Sequence, residues 1–448
     1  MVSKQQTIRF LGYVLLGLVS WNAVWGGQEN ITLQQAIQLA LKHNPKVVAA
    51  RLELRKADAQ VREAFGTALP SVSLSGQYSW NVERPVFFFP DFRTGEIRPI
   101  TVGSEHSFVT RLQLTQTLFN ATAFTVVQNS YLYAQAAEQQ YQQTLSDVTV
   151  EVTQAFYQAL LAREMEKVLE SSYRRMQEFA RQVSVLYQEG LVSEYEHLRA
   201  QVAVDVIEPQ VREARQRYED AVARLKLVMG MPVTKSIEPI GSFAVDTTFH
   251  LPPEAEVLAR VAQHNYGLQA MRTQMEIADK VVDLYQSEFL PMLFLFGQYT
   301  YQGQSDVFRL NAFQTAKSAA VGLQLSFSLF NGFQSTARVQ QARLDYQKLE
   351  TMVKQTEDAL RMQARSLLHR YAIALNKWRA QQKTLQTAQK GYQIAQVRYR
   401  EGIGTQLEVF DAENNVRQVQ LQELQAAYEV ISIQTQLRAL MGELGQKQ

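Results

Sequence analysis

The chain has 448 residues with 45 basic and 43 acidic side chains, which gives a formal net charge of +2. This balance argues against a nucleic-acid-binding protein, which would carry a clear basic excess. The absence of cysteine excludes disulfides, thiolate metal sites, cysteine nucleophiles and lipid attachment through cysteine.

Residues 1–26 have the composition of a secretory signal peptide. Lys4 and Arg9 make the start basic, Phe10–Val19 is an apolar run, and small residues follow. We therefore predict cleavage at the end of this segment. The alternative is an uncleaved membrane anchor, since no charge follows Arg9 within the segment, but Asn22 and the glycines interrupt the apolar run.

The next segment predicts a helix and then two strands. Apolar residues recur at helical spacing over residues 31–66, with a break at Pro45. The period then changes to two, and strands are predicted at about 70–81 and 107–118, each with one apolar and one polar face. Between them lies a predicted loop with three consecutive phenylalanines, Phe87–Phe89.

A long helical hairpin follows the strands. Residues 122–189 contain neither proline nor glycine, and a single helix of this length would be about 100 Å long. Gly190 suits the left-handed position that ends a helix. Ser193 and Glu196 then form an S-x-x-E capping box, which starts a second helix that runs to about Met229.

The same plan occurs a second time after a proline-containing linker at 231–253. LPSVSLSGQYSW at 69–80 is echoed by LPMLFLFGQYTY at 290–301, and LQLTQTLFN at 112–120 by LQLSFSLFN at 323–331. Repeats that keep their order and spacing indicate two similar halves, 27–230 and 254–442.

The second half therefore predicts the elements of the first half again. These are a helix, strands at about 291–302 and 319–330, a long helix at about 334–401, a turn at Gly402, a helix to about 440 and a short tail at 443–448. Thr405 and Glu408 form a T-x-x-E capping box after the turn.

The strands require association between chains. Each is about 11 residues long, which suits a tilted strand that crosses a bilayer. Four such strands cannot close a barrel, and an open sheet edge in lipid would leave backbone groups unpaired. Two chains would supply eight strands and three chains twelve, and a wide polar lumen favours more than eight.

In order and in duplicate, these features resemble the TolC family of bacterial outer-membrane efflux proteins, the outer membrane factors. The motifs that carry the resemblance are Leu69-Pro70 and Leu290-Pro291, Leu-Phe-Asn at 118–120 and 329–331, the two glycine hairpins, and Met-Gly at 229–230 and 441–442. The resemblance implies an α+β membrane protein. It would be a homotrimer whose twelve-stranded transmembrane β-barrel, with four strands per chain, is continuous with a long periplasmic α-helical barrel.

The resemblance also implies the function and the partners. The protein would be a passive exit duct for a tripartite efflux pump or a type I secretion system, in the outer membrane of a Gram-negative-type bacterium and extending into the periplasm. Its partners would be a periplasmic adaptor (membrane fusion) protein, an inner-membrane transporter of RND, ABC or MFS type, and outer-membrane lipid. Neither a cofactor nor nucleic acid belongs to such a duct.

Family members close at the periplasmic tip, which the glycine hairpins form. Glu408 and Asp411 match acidic residues that narrow this entrance, and three copies would form rings that prefer cations. For Glu408 the alternative is a capping role alone. Tyr399 and Glu196 match a tyrosine–acid pair that latches the two hairpins together, whereas the basic residue expected near position 404 is replaced by Gly404.

The tips are also where the adaptor docks in the family. The residues predicted for docking are Gly190, Leu191, Ser193, Gly402, Ile403 and Thr405. The alternative for the two glycines is a role in the turns only.

The residues give an enzyme no support. G-x-x-x-x-G-K-[ST] and G-x-S-x-G motifs are absent, and the six histidines show no metal-ligand spacing. His43 and His264 occupy equivalent positions in the two halves, which favours a structural role at a helix end. The second hypothesis is a secreted coiled-coil scaffold or adaptor protein without a pore, and the alternating strands argue against it.

Overall fold

The computed structural model of the protein describes residues 29–90, 93 and 95–444. The predicted signal peptide and residues 445–448 of the predicted tail lie outside this part. The chain divides into two compact units. One holds the residues up to Asn44 with Glu151–Val245 and Leu375–Val430, and the other holds Pro45–Val150, Asp246–Ala374 and the residues from Ile431.

Helices make up most of the described residues. They are α1 (Leu33–His43), α2 (Pro45–Gly66), α3 (Ala121–Gln188), α4 (Glu194–Val228), α5 (Glu254–His264), α6 (Tyr266–Ser287), α7 (Gln334–Arg400) and α8 (Gln406–Leu440). With 68 and 67 residues, α3 and α7 are each about 100 Å long. Within the described part, no helix has both the length and the hydropathy to span a membrane.

Strands are fewer. They are β1 (Glu29–Ile31), β2 (Ser71–Trp80), β3 (Val86–Pro90), β4 (Ile97–Thr101), β5 (His106–Phe119), β6 (Ile237–Pro239), β7 (Met292–Ser305) and β8 (Gln314–Ser326).

The four longest strands form one antiparallel sheet in the order β2-β5-β7-β8. Its register sets Leu74 opposite Leu112, and Leu112 opposite Tyr299. Successive side chains of a strand point to opposite faces, so one face is apolar and the other mainly polar. The apolar face carries Val72, Leu74, Tyr78, Leu112, Leu114, Tyr299, Val321 and Leu323, and the polar face Ser73, Ser75, Arg111, Gln113, Gln298, Thr300 and Ser318.

The glycine of each Met-Gly motif is required by a close backbone contact, and the first unit contains the first example. Gly230 follows α4 with a φ of 69°. A Cβ atom at this position would lie 2.4 Å from the carbonyl oxygen of His43, at the end of α1. Beside it, Asn44 Nδ2 donates a hydrogen bond of 2.7 Å to the carbonyl oxygen of Val228. Position 230 therefore accepts only glycine. His43 takes part in this contact through its backbone, at the end of α1.

The second unit contains the same construction. Gly442 follows α8 with a φ of 73°, and a Cβ atom there would lie 2.3 Å from the carbonyl oxygen of His264. Asn265 Nδ2 donates to the carbonyl oxygen of Leu440 at 3.3 Å. Asn265 Oδ1 also accepts from the backbone N–H of Leu268, which caps α6.

The prediction of only four strands is wrong, because the described residues include two further strand pairs. β1 pairs in parallel with β6, which lies inside the segment predicted as a linker. Phe87–Phe89, predicted as a loop, lie in β3, which pairs with β4. β1 and β6 are too short to show a period, and β3 is apolar at every position, so neither gives the alternation that identifies a strand.

The last strand is also displaced from its prediction. β8 spans Gln314–Ser326 instead of 319–330. The prediction aligned the two Leu-Phe-Asn motifs, but Leu329 and Phe330 follow the end of the strand and are exposed. The first five residues of β8, Gln-Thr-Ala-Lys-Ser, do not alternate between apolar and polar side chains. Backbone pairing with β7 holds them in the sheet, since β7 extends to Ser305.

Candidate functional site at the two helical hairpins

The first hairpin, α3 to α4, turns at Gly190, which has a φ of 71°. The N–H of Gly190 donates to the carbonyl oxygen of Tyr187, and that of Leu191 to the carbonyl oxygen of Leu186. These two bonds form a Schellman motif, which requires the left-handed conformation. The predicted capping box is confirmed: Ser193 Oγ accepts from the N–H of Glu196, and Glu196 Oε2 accepts from the N–H of Ser193.

The second hairpin, α7 to α8, turns in the same way at Gly402, with a φ of 71°. The N–H of Gly402 donates to the carbonyl oxygen of Tyr399 and that of Ile403 to the carbonyl oxygen of Arg398. A Cβ atom on Gly404 would lie 2.9 Å from the Cβ atom of Arg398. Position 404 therefore has no room for the basic residue that the family resemblance leads one to expect.

Arg398 supplies a guanidinium close to that position. Its Nη2 donates to the carbonyl oxygen of Ile403 at 3.2 Å, and its Nε lies 3.6 Å from Glu408 Oε2. Thr405 Oγ1 accepts from the N–H of Glu408, the first half of the predicted capping box. Thr405 thus caps α8 by accepting from the backbone N–H of Glu408, while the Glu408 carboxylate pairs with Arg398, an interaction within the hairpin.

One polar bond joins the two turns. Gln406, the first residue of α8, is buried, and its Nε2 donates a hydrogen bond of 3.0 Å to the carbonyl oxygen of Glu196 at the start of α4. Sequence reasoning did not identify Gln406. Its burial depends on the packing of the two hairpins against each other, which no local pattern shows.

The predicted latch pair, Tyr399 and Glu196, is not hydrogen-bonded. Among the described residues the Tyr399 hydroxyl is buried without a hydrogen-bond partner. Burial raises the pKa of Tyr399, and the negative charge of Glu196 raises it further. The Tyr399 ring packs against Phe179 of α3, with the ring centroids 5.1 Å apart. The latch stays a prediction, and the contact seen for Tyr399 is aromatic.

An apolar cluster lies behind the turns. The Phe410 ring of α8 packs against Phe179 at a centroid distance of 5.4 Å, and the Arg199 guanidinium of α4 lies 5.9 Å from the Phe410 ring centroid. The buried members of this cluster are Met176, Phe179, Val183, Ala200, Ile207, Ala388, Tyr392, Ala395, Val409, Phe410 and Val416. The four helices of the two hairpins therefore share one core.

The two predicted constriction residues lie on the exposed side of α8. Glu408 and Asp411 are exposed, whereas Gln406, Val409 and Glu413 are buried. The two acids differ in electrostatic surroundings. Glu408 has the Arg398 guanidinium beside it, and none of the ion pairs between described residues involves Asp411. Asp411 is therefore the freer negative charge.

A buried carboxylate, Glu413, follows Asp411 two residues later. Glu413 is 1% exposed, and it accepts from Ser172 Oγ and from Arg175 Nη2, at 2.5 and 2.9 Å. Arg417 Nη1 lies 3.3 Å from the second carboxylate oxygen and donates to Ser172 Oγ at 3.2 Å. We call Ser172, Arg175, Glu413 and Arg417 the carboxylate clamp. It fixes α8 to α3.

The residues predicted for docking all lie at the two turns: Gly190, Leu191, Ser193, Gly402, Ile403 and Thr405. The side chains of Leu191 and Ile403 are 67% and 70% exposed. Exposed apolar side chains at neighbouring turns are typical of a contact surface. The hydroxyls of Ser193 and Thr405 are already engaged by helix N-termini.

Metal chemistry has no support in the described part of the chain, where no three His, Asp or Glu side chains group in a way that could hold an ion. The site offers a pair of helical turns with an exposed apolar surface, the exposed carboxylate of Asp411 and a core of aromatic and charged contacts. Exposed apolar side chains at neighbouring turns are features of a contact surface.

The sequence matches the family described as outer membrane efflux protein over residues 36–231 and 257–443. The chain belongs to this family, the TolC-type outer membrane factors. It is an outer-membrane protein that extends into the periplasm.

Individual relatives are distant in sequence. The alkaline protease secretion protein AprF of Pseudomonas aeruginosa is 24% identical over 425 residues, which cover 92% of this chain and 84% of AprF. The proteases secretion protein PrtF of Dickeya chrysanthemi is 23% identical over 430 residues, with 94% and 90% covered. The CmeC outer membrane channel of Campylobacter jejuni has a similar fold, with a TM-score of 0.74 and 19% identity over 93% of this chain and 87% of CmeC.

Proposed function

We propose that the protein is a passive exit duct in the outer membrane. Three copies would form a twelve-stranded barrel from three four-stranded sheets, continuous with a periplasmic barrel of helices, and the helical hairpins would gate its periplasmic tip. The single observation that supports this most strongly is the sheet β2-β5-β7-β8 with its exposed apolar face and its two open edges.

The sheet is unsuited to water. Leu74 and Leu323, on its apolar face, are 72% and 64% exposed, and lipid would cover them favourably. β2 and β8 stand at the two ends of the strand order. A bilayer offers no hydrogen bonds to such edges, so β8 of one copy must pair with β2 of the next. Cyclic repetition closes the barrel without leaving an edge.

The relatives indicate what passes through. AprF and PrtF are named for the secretion of proteases, and CmeC is an outer membrane channel. We infer that this protein serves a type I secretion system or a tripartite efflux pump. Energy would come from an inner-membrane transporter of RND, ABC or MFS type, and a periplasmic adaptor would join that transporter to the hairpins.

The test is the mass of the protein extracted from the outer membrane with detergent, measured by size exclusion with light scattering. We expect three chains per particle, and ion channels when the particle is added to a planar bilayer. A water-soluble monomer or dimer would contradict the duct and support the other hypothesis, a secreted coiled-coil scaffold without a pore.

The adaptor contact can be tested separately at Ile403. We expect Ile403→Asp to reduce adaptor-dependent export at least tenfold, because a charge at the centre of an apolar contact is costly to desolvate. The side chain is 70% exposed, so the substitution leaves the core intact. Export of a fluorescent dye or a secreted protease by whole cells measures the effect.

Ile373 on α7 provides the matched control, since its side chain is 67% exposed and lies outside the turns. Ile373→Asp should export normally, and both variants should assemble like the wild type. Normal export by Ile403→Asp would remove this side chain from the docking surface.

A further inference from the structure

We propose that Glu413 is a positioning residue of the gate. Through the carboxylate clamp it limits how far the second hairpin can move away from the first, and it fixes the direction in which Asp411 points. This inference rests on the proposed function of the hairpins as a gate. It concerns a residue that neither the pattern of the sequence nor the family resemblance singles out.

Three contacts hold α8 to the first hairpin, and they follow one another along the helix. Gln406 is bonded to the backbone of Glu196, Phe410 packs on Phe179, and Glu413 is held by the side chains of the clamp. Movement of the second hairpin must begin at the turn and stretch these contacts in that order. The last contact to yield sets the limit of the movement.

The clamp is the strongest of the three. Loss of one neutral hydrogen bond such as that of Gln406 changes an equilibrium by about tenfold at most. Removal of one partner from a buried ion pair changes it by a hundredfold or more, because a charge is left without its counterion. Glu413 is 1% exposed and has two guanidiniums within 3.3 Å, so it belongs to the second class.

The clamp also joins a third helix. The Arg175 guanidinium lies 5.9 Å from the ring centroid of Tyr392 on α7. Tyr392 is buried, which raises the pKa of its hydroxyl, and the Arg175 charge partly offsets this increase. Both helices of the second hairpin are thereby tied to α3 at the same level, and α7 and α8 cannot slide past one another freely.

The orientation of α8 follows from the same contacts. Glu413 and Asp411 are two residues apart, which places them about 200° apart around a helix. With Glu413 held inside the core, Asp411 must face outward, as it does here. Rotation of α8 about its axis would turn Asp411 away from its present direction and bury or displace its charge. The clamp therefore positions the carboxylate that we assign to the constriction.

The test compares Glu413→Gln with the wild-type protein in planar bilayers. Glutamine keeps the shape and removes the charge, and we expect the ratio of open to closed dwell time to rise roughly a hundredfold or more. Hydrogen exchange should accelerate in the first turns of α8 and stay unchanged from about residue 420 onward.

Glu423 is the matched control. It is also a carboxylate of α8 that bonds to a neighbouring helix, since Trp378 Nε1 donates to its Oε1 at 2.8 Å. Glu423→Gln should leave the dwell-time ratio unchanged. An equal rise in both variants would overturn the proposal, because the effect would then be a general loosening of the helices.

The remaining outcomes are also decisive. Wild-type channels together with unaltered gating in Glu413→Gln would overturn the role of the clamp and leave the duct function intact. A wild-type protein that forms no channel would overturn the duct and the clamp proposal with it. Should Glu413→Gln fail to assemble, Ser172→Ala removes the two hydrogen bonds of the Ser172 hydroxyl, with Glu413 and with Arg417, and keeps both ion pairs. A dwell-time ratio equal to the wild type in that variant would count against the clamp.

Discussion

Replacement of Gly230 by alanine is expected to prevent the protein from assembling at normal levels. The residue has a φ of 69°, and an L-residue in this conformation loses about 1–2 kcal/mol. The new methyl group would also lie 2.4 Å from the carbonyl oxygen and 2.6 Å from the carbonyl carbon of His43. These are backbone atoms at the end of α1, so the overlap can be relieved only by moving the whole helix.

Together the strain and the overlap should lower the free energy of unfolding by at least about 3 kcal/mol. The displacement would also break the hydrogen bond from Asn44 to the Val228 carbonyl oxygen, which lies next to the contact. The amount of the proposed trimer in the outer membrane and the temperature at which the extracted particle dissociates measure this effect. We expect a clear decrease in both.

Gly391 offers a matched control in the same chain. It lies inside α7, and a Cβ atom there would meet nothing within 4 Å. Alanine is the better helix former by about 1 kcal/mol, so Gly391→Ala should be neutral or slightly stabilising. If Gly230→Ala were as stable as Gly391→Ala, the close approach of α4 to α1 could not be a requirement of the fold.

The elements that the sequence predicts best are those with local causes. The turn at Gly190 needs a left-handed residue, and Ser193 with Glu196 satisfies the N-terminal amides of α4, so a few neighbouring residues determine the structure. The Met-Gly motif at 229–230 is visible in the sequence only as a repeat. The glycine is needed because of a contact with His43, which lies almost two hundred residues earlier in the sequence.

The carboxylate clamp could not be predicted from the sequence. Glu413 follows Val409 at helical spacing and precedes Val416, so it occupies the apolar stripe of α8. Ser172 occupies the stripe of α3 in the same way, between Leu169 and Met176. A polar residue within an apolar stripe indicates a buried polar contact, but two stripes on different helices cannot be matched without the packing.

For the last strand the prediction is wrong for a different reason: it assumes that the repeated Leu-Phe-Asn motif marks the same strand end in both halves. Alignment of the Leu-Phe-Asn motifs placed the last strand at 319–330, whereas β8 ends at Ser326. Similar sequences in the two halves need not end a strand at the same point, because the strand ends where pairing with its neighbour ends. In β5 pairing with β7 continues to Phe119, past a register shift.

Replacement of Asp411 by alanine is expected to raise single-channel conductance and to weaken cation preference. The residue is exposed on α8, and in the proposed trimer three copies would surround the narrowest part of the entrance. A carboxylate about 5 Å from a permeant ion contributes roughly 1 kcal/mol even in a water-like medium. It stabilises a cation and destabilises an anion by this same amount, so its loss should reduce the cation-to-anion permeability ratio by at least about tenfold, and the shorter side chain should widen the passage. Reversal potentials in a gradient of dilute salt measure the ratio with little screening.

Two further variants separate charge from size and test the assignment to Asp411. Asp411→Asn keeps the size, so it should lose cation preference without the rise in conductance. Removal of the whole ion pair, in the double variant of Arg398→Gln with Glu408→Gln, should affect selectivity less than either, because the Arg398 guanidinium lies 3.6 Å from the Glu408 carboxylate and offsets its charge. Unchanged selectivity in Asp411→Ala would remove this residue from the ion path. An effect of the double variant as large as that of Asp411→Asn would show instead that the pairing with Arg398 does not neutralise Glu408, and both acids would then belong to the constriction.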